Sequence, residues 1–265
     1  MMRKKIDSPL GVGQFNQAHE PAQAIYPCQA CPLRANLAFR RQTPDLINYI
    51  EASKQRSVAM QAGATIIAEN QAQTHFFTLY QGWAFRYKSL PDDRRQILNF
   101  LLPGDLIGLQ QQLGGQAAHG VAALTDVVLC EFSKTSLWSL YQTNPELGYD
   151  ITWLSAYEER MVDDNLLTVG RRSAEERIAH LLLHLHDRLQ ALQLQPEDDM
   201  AFPLSQQHIA DALGLSLVHT NKTLRKLQQR QLLEINTGRL RIRELKALSQ
   251  LAHYVSPKLN KRPLL

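Results

Sequence analysis

Cysteine is scarce in this chain: three residues in 265, at positions 28, 31 and 130. So small and odd a number argues against a disulfide framework and suits a reducing compartment. Long apolar runs are missing as well; none approaches the ~20 residues that carry a helix across a bilayer. The opening MMRKKIDSPLGVG has basic residues with no apolar segment behind them, so it does not read as a secretory signal. These absences predict a cytoplasmic chain with no membrane contact. There is also no nucleophile elbow, no phosphate loop and no His-x-His plus Glu and His set of a cupin-like metal site. With no catalytic constellation, the chain does not read as an enzyme.

What is present is ample apolar content, 44% of residues, enough for two modest domains with real cores. Charge is distributed unevenly. Residues 201–265 hold eleven of the 29 Lys and Arg and three of the 25 Asp and Glu, a net of +8. The 18 basic and 22 acidic residues that remain give −4. A basic C-terminal third on a mildly acidic body fits a phosphate-binding module attached to a sensor, against the plainer reading of a solvated charged surface.

The basic third contains LSQQHIADALGLSLVHTNKTLRKLQQRQLL, Leu204–Leu233. A first helix is predicted over Ser205–Leu213, with Ser205 as N-cap and Ile209, Ala210 and Leu213 on one face. Gly214 takes the turn, where positive φ is cheap without a Cβ. Ser216 caps a second helix, Leu217–Gln229, with a buried stripe of Thr220, Leu224 and Leu227. Its other face carries Val218, His219, Asn221, Lys222 and Arg225. This spacing predicts a helix-turn-helix whose second helix enters the major groove of double-stranded DNA. Two amphipathic helices packed in a core would be the bland alternative. Asn221 can read adenine, Lys222 guanine, and Val218 a thymine methyl; Ser205, Gln206 and Ser216 stand at the helix starts. Leu232–Ile235, the turn Asn236-Thr237-Gly238, and Arg239–Arg243 read as a hairpin wing. Arg239, Arg241 and Arg243 alternate onto one phosphate-facing side. A last helix covers Leu245–Tyr254, and SPKLNKRPLL is expected to be mobile.

Upstream, residues 1–43 read as a flexible arm bearing Cys28 and Cys31. Thr43–Ser57 is predicted helical, with Pro44 at its first position. Short runs then alternate with turns: Val58–Gln61, Thr65–Ala68, His75–Tyr80, Trp83–Lys88, Gln96–Leu102 and Val121–Phe132. That pattern predicts an antiparallel sandwich or β-roll over 44–144. A short helix, Leu137–Thr143, leads to a long one from Pro145 to Val169, ended by a hinge at Gly170. One stripe of the long helix, Leu147, Ile151, Leu154 and Met161, is expected on the β-roll. Another, Thr152, Ser155, Glu159, Val162, Leu166 and Val169, is expected on a partner helix, against the alternative of a helix buried wholly within one chain; Ile151 is counted with this dimer seam. Glu158 and Glu159 would set like charges near the two-fold axis. Ser173 and Glu176 form a capping box for a helix to Leu192. His180, His184 and His186 on that helix lack the carboxylate or thiol that would complete a metal site.

In this order, an arm, a β-roll with PGDLIG, a long helix, GRRSAEERIAHLLL, a helix-turn-helix and a wing, the chain resembles the Crp/Fnr family of bacterial transcription regulators from about Cys28 to Ala252. The resemblance implies an α+β fold: an antiparallel β-roll of the cyclic-nucleotide-binding type (a double-stranded β-helix), a dimerisation helix at 145–170, and a winged helix-turn-helix at 171–265. It implies a homodimer on a palindromic operator, contact with RNA polymerase, and action as an activator.

The likeness is nearer to the oxygen-sensing branch than to the cyclic-AMP receptor. That branch holds a [4Fe–4S] cluster on four cysteines. Cys28, Cys31 and Cys130 match three of them, while Leu37 stands near the place of the other arm cysteine. The fourth ligand is unassigned; His19 and Asp45 are the side chains to consider. A thiol switch and ordinary reduced thiols are the alternatives. Cyclic nucleotide binding is disfavoured: Leu109 follows Gly108 where the cyclic-AMP receptor has Glu, and Gln116-Ala117-Ala118-His119-Gly120 supplies no Arg for the phosphate. Haem on His119 or His75 is disfavoured too. A signal of oxygen, redox state or nitric oxide competes with a regulator controlled by its own abundance.

Overall fold

The computed structural model describes residues 27–72, 74–110, 115–193, 200–257 and 261–265, and gives no side-chain placement for 134–136. Eight strands form the N-terminal domain: β1 Lys54–Met60, β2 Thr65–Ile67, β3 His75–Gln81, β4 Ala84–Ser89, β5 Arg95–Leu101, β6 Leu106–Ile107, β7 Gly120–Ala123 and β8 Val127–Ser133. They pair antiparallel in two four-stranded sheets, β1-β8-β3-β6 and β2-β7-β4-β5. The inner faces share a core of Ile67, Phe77, Leu79, Leu101, Ile107, Val121 and Leu129. The predicted β-roll is therefore present.

Its boundaries differ from the sequence reading in three places. The helix beginning at Pro44 stops at Ser53, not Ser57, because β1 starts at Lys54. Leu46 and Ile50 bury one face of that helix, and beyond Ser53 there is no apolar residue at helical spacing to continue it. The run Val121–Phe132 is two strands, β7 and β8, on different sheets. Leu124-Thr125-Asp126 breaks it: Thr125 Oγ1 accepts from Trp83 N at 2.9 Å, and Asp126 Oδ1 from Ala62 N at 2.9 Å. The two-residue strand β6 was too short to show a period.

The short helix spans Lys134–Thr143. The long helix runs Pro145–Arg171 without a break at Gly170, so the hinge lies at Arg172-Ser173 instead. Arg172 bridges the junction, donating to Thr168 Oγ1 at 2.8 Å. The next helix, Ala174–Leu192, opens with the predicted Ser173–Glu176 capping box. The DNA-binding fold follows: β9 Met200–Ala201, helices Gln206–Leu213 and Leu217–Gln229, β10 Leu233–Asn236, β11 Arg239–Ile242 and helix Leu245–Ala252.

The two domains are not beads on a string. Trp83, Phe85, Ile97 and Phe100 from the sheet share one apolar cluster with Leu181, Leu182, Leu185 and Leu189 of the post-hinge helix. The first helix of the helix-turn-helix is tied to β5 as well: Arg95 Nε donates to Asp211 Oδ2 at 2.7 Å, and Gln96 Nε2 to Ala212 O at 2.8 Å.

Both ends expected to be loose contain packed segments. Cys28–Ala30 is a 3-10 turn, Pro32–Ala35 a single helical turn, and Leu33 and Phe39 are buried. The C-terminal residues 261–265 lie against them. Arg40 N donates to Arg262 O and Arg262 N to Ala38 O, each at 2.8 Å, and Leu264 and Leu265 are buried. The flexible arm to residue 43 and the mobile tail are thus corrected where the structure describes them. Leu33, Phe39, Leu264 and Leu265 are spaced too irregularly to mark a buried face, yet burying them offsets the entropy of ordering.

Candidate nucleic-acid interface

Ser205 Oγ accepts from His208 N at 3.2 Å, and His208 Nδ1 accepts from Ser205 N at 3.1 Å, closing a capping box at the first helix. Gly214 ends that helix at φ +62°, a conformation costly for other residues. Ser216 Oγ accepts from His219 N at 3.2 Å and starts the second helix. Thr220, Leu224 and Leu227 are buried beneath it.

Opposite them, Val218 is 79% exposed, and His219, Lys222 and Arg225 are exposed too. Leu217 beside Val218 is 42% exposed, so the two leave a small apolar patch on a basic helix face. Asn221 is only half-buried, and its Oδ1 is enclosed without a hydrogen-bond partner, so its reading edge is less open than its helical position implied. Gln206 is exposed in the first turn of the first helix. Sequence reasoning missed the support under this helix: Glu175 accepts from Arg230 Nη1 at 3.1 Å and from Lys226 Nζ.

The wing is present, and its turn is tighter than expected. Asn236 pairs with Arg239, leaving the two residues Thr237 and Gly238 as the loop, at φ +47° and +73°. Two positive φ values mark the hairpin turn that matches strand twist. Leu240 is buried between Arg239 and Arg241, which therefore share the other side of β11. Arg243 lies beyond the strand and pairs with Glu234. The wing gains a third strand, β9, which two residues could not announce in the sequence.

On the long helix, Thr152, Ser155, Glu159, Val162 and Leu166 form an exposed stripe, with Leu166 at 72%. Tyr149 extends it by one turn and Leu167 flanks it; the i−3 spacing from Thr152 was the signal for Tyr149. Ile151 does not belong to it. At 1% exposure it packs with Leu46, Phe76 and Phe132 inside its own chain. Glu158 also turns inward, accepting from Arg86 Nη1 at 2.7 Å, which leaves Glu159 alone on the outer face.

The cysteines converge, and none is in a disulfide. Burial pushes the Cys28 thiol up against the pull of Lys54 and Arg34, and Cys31 adds to the rise. Burial likewise raises Cys130, with Lys54 opposing and Cys28 and Cys31 contributing. The three sulfurs therefore feel one another. Asp45 is exposed on the first turn of its helix, and His19 lies outside the described residues. Among the described residues, no three Cys, His, Asp or Glu side chains form a group that could hold a metal. Among the described residues the three thiols have no fourth protein ligand beside them, so these side chains alone do not complete a four-ligand iron–sulfur cluster.

His75 leans towards Glu131 at 3.8 Å. His119 is pushed down to about 4 by burial and by Arg86 and Lys88. No helix among the described residues is long and apolar enough to cross a membrane.

The family model described as "Cyclic nucleotide-binding domain" matches residues 57–144, and "Crp-like helix-turn-helix domain" matches 176–251. The nitrogen fixation regulation protein FixK of Bradyrhizobium diazoefficiens is 35% identical over 183 residues, 69% of this chain and 76% of that protein. The transcriptional activator protein FnrL of Cereibacter sphaeroides is 29% identical over 215 residues, 80% of this chain and 85% of that one. The solved structure of FixK2 from Bradyrhizobium japonicum superposes with a TM-score of 0.68 at 28% identity, covering 74% of this chain and 96% of that chain.

Proposed function

The chain belongs to the Crp/Fnr family of transcription regulators, and from that premise we propose that it acts as a homodimer on a two-fold-symmetric operator. The exposed basic face of helix Leu217–Gln229 carries this reading. Val218, His219, Asn221, Lys222 and Arg225 reach base edges; Ser205, Gln206, Ser216, Arg239 and Arg241 hold the phosphates. The stripe Thr152, Ser155, Glu159, Val162 and Leu166 pairs the two protomers. Half-sites then fall about one helical turn, ~34 Å, apart. As an activator in the cytoplasm, the dimer would also touch RNA polymerase.

Fluorescence anisotropy with an inverted-repeat duplex tests it. Binding should scale with the dimer, fall steeply with salt, and weaken strongly on Lys222→Ala. Equal affinity for the repeat and a scrambled duplex would refute sequence-specific regulation.

The finer part of the proposal is the signal: oxygen, redox state or nitric oxide acting at the cysteine corner. Cys28 and Cys130 border one apolar cluster, with Cys31 three residues beyond Cys28, and this supports it. Neither an iron–sulfur cluster nor a cyclic nucleotide enters this reading. In its simplest chemistry, Cys28 and Cys31 lose two protons and two electrons to hydrogen peroxide; an S–S bond forms and the peroxide leaves as two waters. A two-dalton mass loss accompanied by a change in operator affinity, both abolished in Cys31→Ser, is expected. Unchanged affinity after full oxidation would favour a regulator set by its abundance alone, with burial protecting its thiols.

A further inference from the structure

A cavity of about 230 Å³ lies where the N-terminal segment, the long helix, the post-hinge helix and the C-terminal segment meet. Its walls come from four parts of the chain: Leu37 of the N-terminal segment, Tyr157 of the long helix, Arg188 and Leu192 of the post-hinge helix, and Lys261 and Arg262 near the C-terminus. It uses neither the cysteines nor the recognition helix.

The charged side of this cavity is unusual. Arg188 is buried and donates to Phe100 O at 2.7 Å and to Asp105 Oδ2. Arg262 is buried too; it donates to Asp105 Oδ1 at 2.6 Å and to Pro103 O at 3.2 Å. Two guanidiniums thus share one carboxylate. A second carboxylate, Glu158, is already bound by buried Arg86 at 2.7 Å. The network Arg86, Arg188 and Arg262 against Asp105 and Glu158 therefore carries one positive charge in excess, with Lys261 exposed at the rim. A buried excess charge is costly, and a guanidinium's five donors suit a second carboxylate. The other side is apolar: Leu192 is buried, and Leu37 is 58% exposed at the opening. The volume is below the ~300–1,000 Å³ of pockets for drug-sized ligands, so the occupant is smaller.

We propose that this cavity is an effector site for a small amphipathic monoanion, a carboxylate on a short apolar chain. The head meets Arg188 and Arg262, and the chain lies along Leu37 and Leu192. Because segments before and after the hinge at Arg172-Ser173 both supply walls, the ligand binds the docked arrangement in preference to an undocked one, and so shifts the orientation of the DNA-binding domain.

Calorimetry on the whole chain tests this with sodium octanoate as probe. One saturable site per protomer is expected, with no saturable binding of octan-1-ol or octylammonium. Lys261→Glu reverses a rim charge without touching the buried network and should weaken octanoate by roughly tenfold, the size of one lost charge contact. Leu37→Asp should weaken it likewise, which keeps the test open should Arg262→Gln fail to fold. Saturating octanoate should change operator affinity by about fivefold or more, a typical coupling. Absence of saturable heat, equal binding of octanoate and octanol, or wild-type binding by both rim variants would overturn the site. Unchanged operator affinity would overturn its role as an effector site.

Discussion

Asp105 and Arg262 stand 157 residues apart in the chain and 2.6 Å apart in space. Asp105 belongs to the turn Pro103-Gly104-Asp105 of the β-roll. Gly104 adopts φ +88° there, and a Cβ would meet the Phe39 ring. The turn is also held from within, since Asp105 Oδ2 accepts from Leu102 N at 2.8 Å. One carboxylate thereby ties the β-roll to the post-hinge helix through Arg188 and to the C-terminal segment through Arg262.

Asp105→Asn should be strongly destabilising, because it leaves two buried guanidiniums facing a neutral amide. Breaking a buried ion pair from one side costs about 3–5 kcal/mol. Guanidinium denaturation should show a lowered midpoint, and limited proteolysis should cut near residues 172–173 as the domains part. Glu158→Gln should cost much less, since burial already pushes the Glu158 carboxyl up and its amide can still accept from Arg86. Equal costs for the two variants would contradict the central place given to Asp105.

Stability should fall on mild acidification, and His180 should be one cause. Burial, followed by Arg172, lowers its pKa from 6.5 to about 4. A lowered folded value means the unfolded chain takes up a proton that the folded chain refuses. The contribution is therefore complete above pH 6.5 and is lost as pH falls towards 4, by up to roughly 3 kcal/mol. His119, lowered to about 4 by burial and then Arg86, acts in the same window. Asp105 is separable: burial raises its carboxyl, Arg188 and Arg262 more than reverse that, and its contribution fades only below the ordinary carboxylate range. His180→Phe keeps a ring against Tyr254, whose centroid lies 5.1 Å away. It should flatten the stability curve between pH 6.5 and 4; an unchanged slope would remove His180 from the account.

The helix-turn-helix was legible because its signals are local. Ser205, Gly214 and Ser216 act within a few residues, and Leu224 and Leu227 repeat at helical spacing. The β-roll was legible from its turns, except where a strand was two residues long or where Thr125-Asp126 broke a long apolar run. What stayed hidden depends on partners far apart in sequence. Arg262 looked like one more charge in a basic tail, Arg188 gave no signal at all, and Ile151 was counted with an outer seam. Each is buried because another element lies over it, which no period within its own segment records. Gly170 looked like a helix end, yet the backbone there continues helical at a cost of about 1 kcal/mol, offset by flanking packing.

The separation of Ile151 from Leu166 leads to opposite outcomes for two apolar substitutions on one helix. Ile151→Ala should cost about 2–5 kcal/mol of stability and leave the dimer constant unchanged, since its partners lie in its own protomer. Leu166→Asp should barely affect monomer stability and should weaken dimerisation by tenfold or more, by placing a charge in a desolvated seam. Sedimentation analysis beside thermal denaturation separates the two. A monomeric Ile151→Ala protein that keeps its melting temperature would reverse the assignment.

On DNA, the wing and the recognition helix should leave different marks. Arg241 is exposed on β11, beyond the tight Thr237-Gly238 turn, and the proposed function gives it a backbone phosphate rather than a base. Losing one phosphate contact removes about one released counterion, so Arg241→Ala should lower the salt slope by roughly one and weaken all sequences alike. Lys222 is on the exposed face of the helix, the one the proposed function turns to the groove. Lys222→Ala should cost about 1–3 kcal/mol on the correct operator and far less on a scrambled one, narrowing the ratio between them. Binding titrations at several salt concentrations on both duplexes give slope and ratio together. If Arg241→Ala changed the specificity ratio while Lys222→Ala changed only the slope, the base-reading and phosphate-holding roles would have to be exchanged.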